Sequence, residues 1–196
     1  MSGDHEELPA AARVRQLEDQ VIAAGLTTDA ELDVILAARY RTGSPANGAR
    51  MVARAWADPG FRDRLLADGN AAAAEAGFGA SGGGYGYRLK AVENTAQQHN
   101  VIVCTLCSCY PTSLLGPSPS WYKSFAYRSR TVREPRAVLA EFGLELPDET
   151  EILVWDSSAE TRYLVVPARP AGSAGLDEDA LARLVTRDGM IGTAAL

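Results

Sequence analysis

All three cysteines of this 196-residue chain fall within six residues, Cys104-Thr105-Leu106-Cys107-Ser108-Cys109. That spacing limits what the chain can fold into. No cysteine stands elsewhere to make a long-range bridge, so the core has to come from apolar packing. A bridge between cysteines two or three residues apart is strained, and an odd count leaves one thiol over. Structural zinc wants four closed ligands, typically in two separated pairs. There is no fourth cysteine, and the only histidines are His5 and His99, the latter at an uncommon zinc spacing before Cys104. The third reading is an open transition-metal site. Cys107 and Cys109 alternate about Ser108, so the amide nitrogens of Ser108 and Cys109 lie between the two sulfurs. An ion there can bind S, N, N and S in one plane, in a six-membered and two five-membered chelate rings, with Cys104 capping one side. Thiolates and deprotonated amides favour a trivalent low-spin ion such as cobalt or iron, a Lewis acid whose free face can take water or substrate.

The rest of the composition excludes whole classes. A formal charge of −6 does not favour nucleic acid or a membrane surface. No apolar run reaches the ~18 residues of a spanning helix, and the polar start (Asp4, Glu6, Glu7) lacks a signal-peptide core. A cytoplasmic protein is expected, where thiols remain open to a metal. A hydrophobic content of 46% suffices for one compact core with an arm.

Residues 1–10 read as a disordered start. Val14, Leu17, Val21 and Ile22 make a helical stripe ending at Gly25, and Thr28-x-x-Glu31 is a capping box for a second helix carrying Leu32, Ile35, Leu36 and Tyr40. Residues 42–48 read as a linker, so an N-terminal helical arm over 1–48 and a metal-binding domain over 49–196 are expected. Helices are expected over about 48–58 and 61–76. The glycine-rich stretch 77–86 reads as a flexible connection, since no Walker pattern surrounds it. Strands are expected at 87–93 and 100–104, where Val101, Ile102 and Val103 deliver Cys104 to a strand end. Residues 110–120 read as a loop, with helix near Trp121 and across 134–142. Residues 151–155 and 162–166 read as strands paired with one another, and 176–187 as a helix with Leu181, Leu184 and Val185 on one face. Helices and strands mix without a regular βαβ order, so the class is α+β.

Val103-Cys104-Thr105-Leu106-Cys107-Ser108-Cys109 resembles the metal-binding motif of the nitrile hydratase alpha subunit, which the gamma subunit of thiocyanate hydrolase shares. The resemblance extends through Asn47–Arg50, Val52–Trp56, Val92–Thr95, His99–Val103, Trp121–Lys123, Tyr127–Arg130, Val132–Arg136, Trp155–Ser158, Arg169–Gly172 and Leu184–Arg187. It implies a layered α-β-β-α domain behind an N-terminal arm that embraces another subunit. It implies metal ligation by Cys104, Cys107, Ser108 and Cys109, with Cys107 oxidised to sulfinate, Cys109 to sulfenate and Cys104 left a thiolate. The sulfenate oxygen of Cys109 then serves as nucleophile or base, or orients the attacking water, as a nitrile is hydrated to its amide; Ser108 can hydrogen-bond beside it. Two arginines of a partner beta subunit, itself one or two chains, are expected to balance the oxyanions, and an activator protein to deliver the metal.

Within the chain, Arg128, Arg130, Arg133 and Arg136 read mostly as a solvated, salt-bridged face, and Arg162 as an interface residue. Thr105 is the residue type of cobalt members, where iron members carry Ser, so Co(III) is favoured over Fe(III). Two departures bear on substrate. A tryptophan expected after Pro111 is Thr112, and a glutamine expected before the strands corresponds to Tyr85. Together they suggest a bulky, nucleoside-like nitrile such as the antibiotic toyocamycin. A thiocyanate hydrolase gamma-type subunit and a non-catalytic metal carrier are the alternatives.

Overall fold

The computed structural model describes residues 10–78 and 86–196; the extreme N-terminus with His5, and the glycine run with Tyr85, lie outside them. The chain divides into two compact units between Arg39 and Tyr40.

The first unit holds α1 (Ala10–Ala23) and most of α2 (Asp29–Thr42). The chain leaves α1 through Gly25 at φ 69°. At the start of α2 the amide of Thr28 donates to Glu31 Oε2 at 3.0 Å, and the amide of Glu31 donates to Thr28 Oγ1 at 3.2 Å. This is the reciprocal capping box expected of Thr28-x-x-Glu31, and it satisfies two amides that a helix start leaves without partners. Val14, Leu17, Leu26, Val34, Ile35 and Leu36 are exposed.

The second unit begins with α3 (Pro45–Ala57), three residues ahead of its expected start. Ser44 caps it by accepting from the amide of Ala46, and Pro45 sits in its first turn, where a missing N–H costs nothing. The single helix expected over 61–76 is two, α4 (Pro59–Ala67) and α5 (Gly69–Glu75). Asp68 stands between them in extended backbone and accepts from the amide of Ala71. A side chain on Gly69 would meet the carbonyl oxygen of Leu89 at 2.6 Å, so the break lets the chain run close against a strand. Propensity alone reads the alanine run as one helix; the cap and the close approach divide it.

The strands are β1 (Arg88–Glu93), β2 (Gln98–Val103), β3 (Glu151–Asp156) and β4 (Thr161–Val166). The expected pairing of β3 with β4 does not form. β1 pairs in parallel with β4, from Arg88 opposite Thr161 to Glu93 opposite Val166. β2 pairs in parallel with β3, from Gln98 opposite Glu151 to Val103 opposite Asp156. The short link after Asp156 does not close a hairpin. The amide of Ser157 donates to Val103 O at 2.7 Å, extending the β2 ladder, and the amide of Arg88 donates to Glu160 O at 2.7 Å, starting the β1 ladder. The link therefore passes the chain from one sheet to the other, and both bury their apolar faces.

Helices close both outer sides. α3, α4, α5 and α10 (Arg187–Ile191) pack on β1 and β4, while α8 (Pro135–Glu141) packs on β3, its Leu139 buried with Val101. This is the expected α-β-β-α layering, in the α+β class. Where 110–120 was expected as a loop, α6 (Thr112–Leu115) forms a single turn. A 3₁₀ turn (Trp121–Lys123) and α7 (Phe125–Arg130) follow. The helix expected over 176–187 is α9 (Glu178–Leu184), capped by Asp177; Val185 is extended, and Thr186 caps α10.

The centre of the core fixes β2. Asn100, fully buried, takes Trp155 Nε1 at 2.8 Å on its Oδ1 and donates to Glu93 O at 2.8 Å. His99 is buried and joins Gly192 O through Nε2 at 2.8 Å. Gly192 has φ 91°, and a Cβ there would lie 2.0 Å from Asn100 O, so only glycine fits against β2 at that point.

Candidate metal centre

β2 ends at Val103, and the next residue, Cys104, is fully buried. The chain then turns outward: Thr105 is half-buried, Leu106 is 86% exposed, and Cys107 and Ser108 are exposed before Cys109 turns back in. The turn folds on its own sulfurs. The amide of Cys107 donates to Cys104 Sγ at 3.3 Å; Cys104 and Cys107 sulfurs lie 3.5 Å apart, and those of Cys107 and Cys109 3.2 Å. All three ligand atoms fall within 4.8 Å of one another.

These distances decide among the readings left open by the spacing. A disulfide requires about 2.05 Å between sulfurs, and all three cysteines are free. His99 is engaged by Gly192 and by Asn94 at 3.2 Å, so it is no fourth ligand for zinc. The donor set fits a thiolate-seeking transition ion instead. Among the described residues no carbonyl accepts from the amides of Ser108 or Cys109; both face the Cys107 sulfur. Two peptide nitrogens thus stand free of secondary structure beside three sulfurs.

The electrostatics divide the thiols. The hydrogen bond from Cys109 holds Cys107 down to about 7, helped by Cys104 and by the Ser108 and Cys109 amides, against a smaller upward push from burial. Burial pushes Cys109 up to about 12, with Cys107 adding to the rise and Arg162 opposing it. The cluster gives up its first proton readily and holds the next tightly, as sulfurs this close must.

The frame comes from three directions. Asp156, the last residue of β3, accepts from the Thr105 amide at 2.9 Å and from Thr105 Oγ1 at 2.5 Å. From α7, Arg128 Nη1 donates to Cys107 O at 3.1 Å and to Thr105 O at 3.5 Å. From the 3₁₀ turn, the fully buried Tyr122 donates its hydroxyl to Cys109 O at 2.9 Å. Asp156 and Tyr122 were not singled out from the sequence, and Arg128 was read with its neighbours mostly as part of a solvated, salt-bridged face, whereas it holds the carbonyls of the cysteine loop. Asp156 could have been found only by knowing that β3 pairs with β2 in parallel, which puts it opposite Val103.

The remaining expected positions separate. Arg130 pairs with Glu134 and Glu141, Arg133 donates to Ser129 O, and Arg136 staples the 146–150 loop through Leu146 O and Thr150 O, so these three hold the fold. Arg128 departs from them by facing the cysteines. Arg162 lies over the Tyr87 ring, 5.3 Å from its centroid, close enough to oppose the rise at Cys109. Tyr87 shares a 2.8 Å hydrogen bond with Ser113, next to Thr112, the first residue of α6, which is half-buried. Open grooves of about 710 Å³ along α8 and about 440 Å³ beside α3 and α9 are lined by no cysteine.

Residues 8–194 match the nitrile hydratase, alpha chain family. The low-molecular-weight cobalt-containing nitrile hydratase subunit alpha of Rhodococcus rhodochrous is 49% identical over 182 residues, covering 93% of this chain and 86% of that one. Subunit gamma of thiocyanate hydrolase from Thiobacillus thioparus is 48% identical over 160 residues, 76% of this chain and 65% of that one. A double mutant of the Fe-type nitrile hydratase from Comamonas testosteroni Ni1 superposes with a TM-score of 0.88 at 42% identity, over 96% of this chain and 92% of that one.

Proposed function

The chain belongs to the nitrile hydratase alpha-chain family, and from that membership we propose that it is the alpha subunit of a nitrile hydratase, active with a beta subunit of one or two chains. The observation that carries the proposal is the cluster of three free sulfurs beside two amides that no carbonyl uses. Cys104, Cys107, Ser108 and Cys109 would hold the metal, through three sulfurs and the amide nitrogens of Ser108 and Cys109. Cobalt is favoured by Thr105 and by the likeness to a cobalt-containing relative, with iron the alternative. Such an ion, when bound, supplies Lewis acidity that draws electrons from a nitrile through its nitrogen.

The chain's own residues do the rest. With Cys107 as sulfinate and Cys109 as sulfenate, the Cys109 oxygen would take the proton of an attacking water or orient it, or would attack the nitrile carbon itself, in which case water then displaces it from that carbon and restores the sulfenate. Water adds across the C≡N bond, oxygen to carbon and hydrogen to nitrogen, and the resulting imidate tautomerises to the amide. Thr112 belongs to the wall that selects the nitrile, and a threonine where an indole would stand leaves room for a bulky, nucleoside-like substrate; Tyr85, expected to share that role, lies outside the described residues. Arg162 belongs to the beta interface. α1 and α2 serve as an arm for the partner, in keeping with their exposed apolar side chains, and the unit from α3 onward is the catalytic domain, the boundary expected at 48/49 falling inside α3. No helix among the described residues is long and apolar enough to cross a membrane, and a cytoplasmic site of action would keep the thiols reduced until an activator protein delivers the metal.

The test is an assay of the chain with and without its beta partner, on an organic nitrile and on thiocyanate. Amide formed only by the pair supports the proposal. Thiocyanate hydrolysis moves the chain to the gamma-subunit reading, and neither activity in a metal-loaded pair leaves a metal carrier. Thr112→Trp in the same pair is expected to shift preference toward small aliphatic nitriles.

A further inference from the structure

A peptide nitrogen can bind a metal as an anion only if its whole peptide bond can carry the charge. When the proton of the Ser108 amide leaves to water, the negative charge spreads by resonance onto the carbonyl oxygen of Cys107. That oxygen accepts from Arg128 Nη1 at 3.1 Å. We infer that Arg128 is a positioning residue of the metal centre: its guanidinium holds the Cys107–Ser108 peptide and stabilises the deprotonated form of the nitrogen that ligates the ion. The inference rests on the metal-centre reading given above and assigns a role to a residue that touches neither metal nor substrate.

Three observations carry it. The first is the choice of atom: Arg128 makes its shorter contact to Cys107 O, one of the two loop carbonyls conjugated with a ligand nitrogen, and only a 3.5 Å contact to Thr105 O, which is not. The second is charge. Arg130, two residues on, is paired with Glu134 and Glu141, whereas Arg128 meets no carboxylate among the described residues. A guanidinium stays protonated whatever its surroundings, so a half-buried one without an anion is costly unless the anion arrives later. Its Nε is buried and has no hydrogen-bond partner. The third is the contrast across the loop. Asp156 grips Thr105 as firmly as Arg128 grips Cys107, but a carboxylate cannot stabilise an anionic peptide. Asp156 shapes the turn, and Arg128 shapes it and balances its charge. A cation hydrogen-bonded to an anionic acceptor makes one of the stronger protein hydrogen bonds.

The test uses the full chain co-produced with its beta partner as wild type, Arg128→Lys, Arg128→Gln and Arg128→Met. Cobalt and iron per alpha chain are measured by elemental mass spectrometry, metal retention by competition with a chelator, and folding by thermal denaturation. Loss of the charge is expected to weaken apparent metal affinity by about 10- to 100-fold in the Gln and Met variants. The Lys variant, which keeps the charge but not the planar fork, retains most of it. A brace without an electrostatic part would make Lys and Gln fall alike. The inference is overturned if Gln or Met holds metal as tightly as wild type, or if Lys fails together with a folded Gln. Wild type without cobalt or iron overturns the metal-centre reading and this inference with it; metal in wild type with an unaffected Gln variant overturns this inference alone.

Discussion

The loop from Cys104 to Cys109 is held by hydrogen bonds that use the amides of Thr105 and Cys107 but leave those of Ser108 and Cys109 without a carbonyl acceptor. Thr105 shows how much one side chain decides. Its hydroxyl and its amide both reach the Asp156 carboxylate, so the first residue after the buried cysteine is fixed by two bonds to a neighbouring strand. Bonds of this kind to a charged acceptor contribute about 1.5–3 kcal/mol. Thr105→Val keeps the shape and loses the hydroxyl bond, whereas Thr105→Ser keeps it. The Val variant is expected to retain metal less well than Ser in a chelator competition, and Asp156→Ala to fall below both. Equal retention by Val and Ser would show that the clamp does not matter to the centre. The ligands themselves were legible in the sequence because their spacing is local: Cys107, Ser108 and Cys109 define their chelate rings whatever the surrounding fold. The frame was not legible. Arg128 sits 21 residues beyond Cys107, in a run of arginines whose other members do serve as a salt-bridged or loop-stapling face. Nothing in the order of residues distinguishes it.

Among the elements, local signals were read well and non-local ones poorly. The Thr28–Glu31 box, the four strand segments and the helix over 135–141 follow from patterns within a few residues. Strand pairing does not. A short link between β3 and β4 suggests a hairpin, yet each strand joins a parallel partner far away in sequence, because the link changes layers. The placement of Asp156 beside the cysteines depends on that pairing. The break at Asp68 is similar: its cause lies in Leu89, a strand residue that the helix must approach. Gly192 makes the strongest such demand, since its φ of 91° and the 2.0 Å from its would-be Cβ to Asn100 O leave no space for any other residue. Gly192→Ala is expected to cost at least about 2 kcal/mol through strain and clash. At about 2–4 °C per kcal/mol for a chain of this size, the melting temperature should fall by several degrees. An unchanged melting temperature would mean that β2 and the C-terminal segment can separate without cost.

On the scale of the whole molecule, stability and function meet at β2, the strand that ends beside the buried Cys104. His99 on that strand is held below its ordinary value of 6.5, chiefly by burial, with the hydrogen bond to Gly192 O opposing. Its folded form is the neutral one, and the unfolded chain takes up a proton first. The stability it contributes is therefore present above pH 6.5 and is lost as pH falls through the lower folded value. Denaturation midpoints of the wild type should decline between pH 7.5 and 5.5 more steeply than those of His99→Gln, whose side chain cannot charge; parallel declines would remove His99 as the cause. The exposed apolar side chains of α1 and α2 and the exposed Leu106 beside the cysteines point to a chain whose surface is completed by a partner.

The most direct test of the account is the metal content of the chain co-produced with its beta subunit, read by elemental mass spectrometry. One cobalt or iron ion per alpha chain is expected, bound through the Cys104–Cys109 loop. Zinc in its place, or a folded complex without metal, would contradict it.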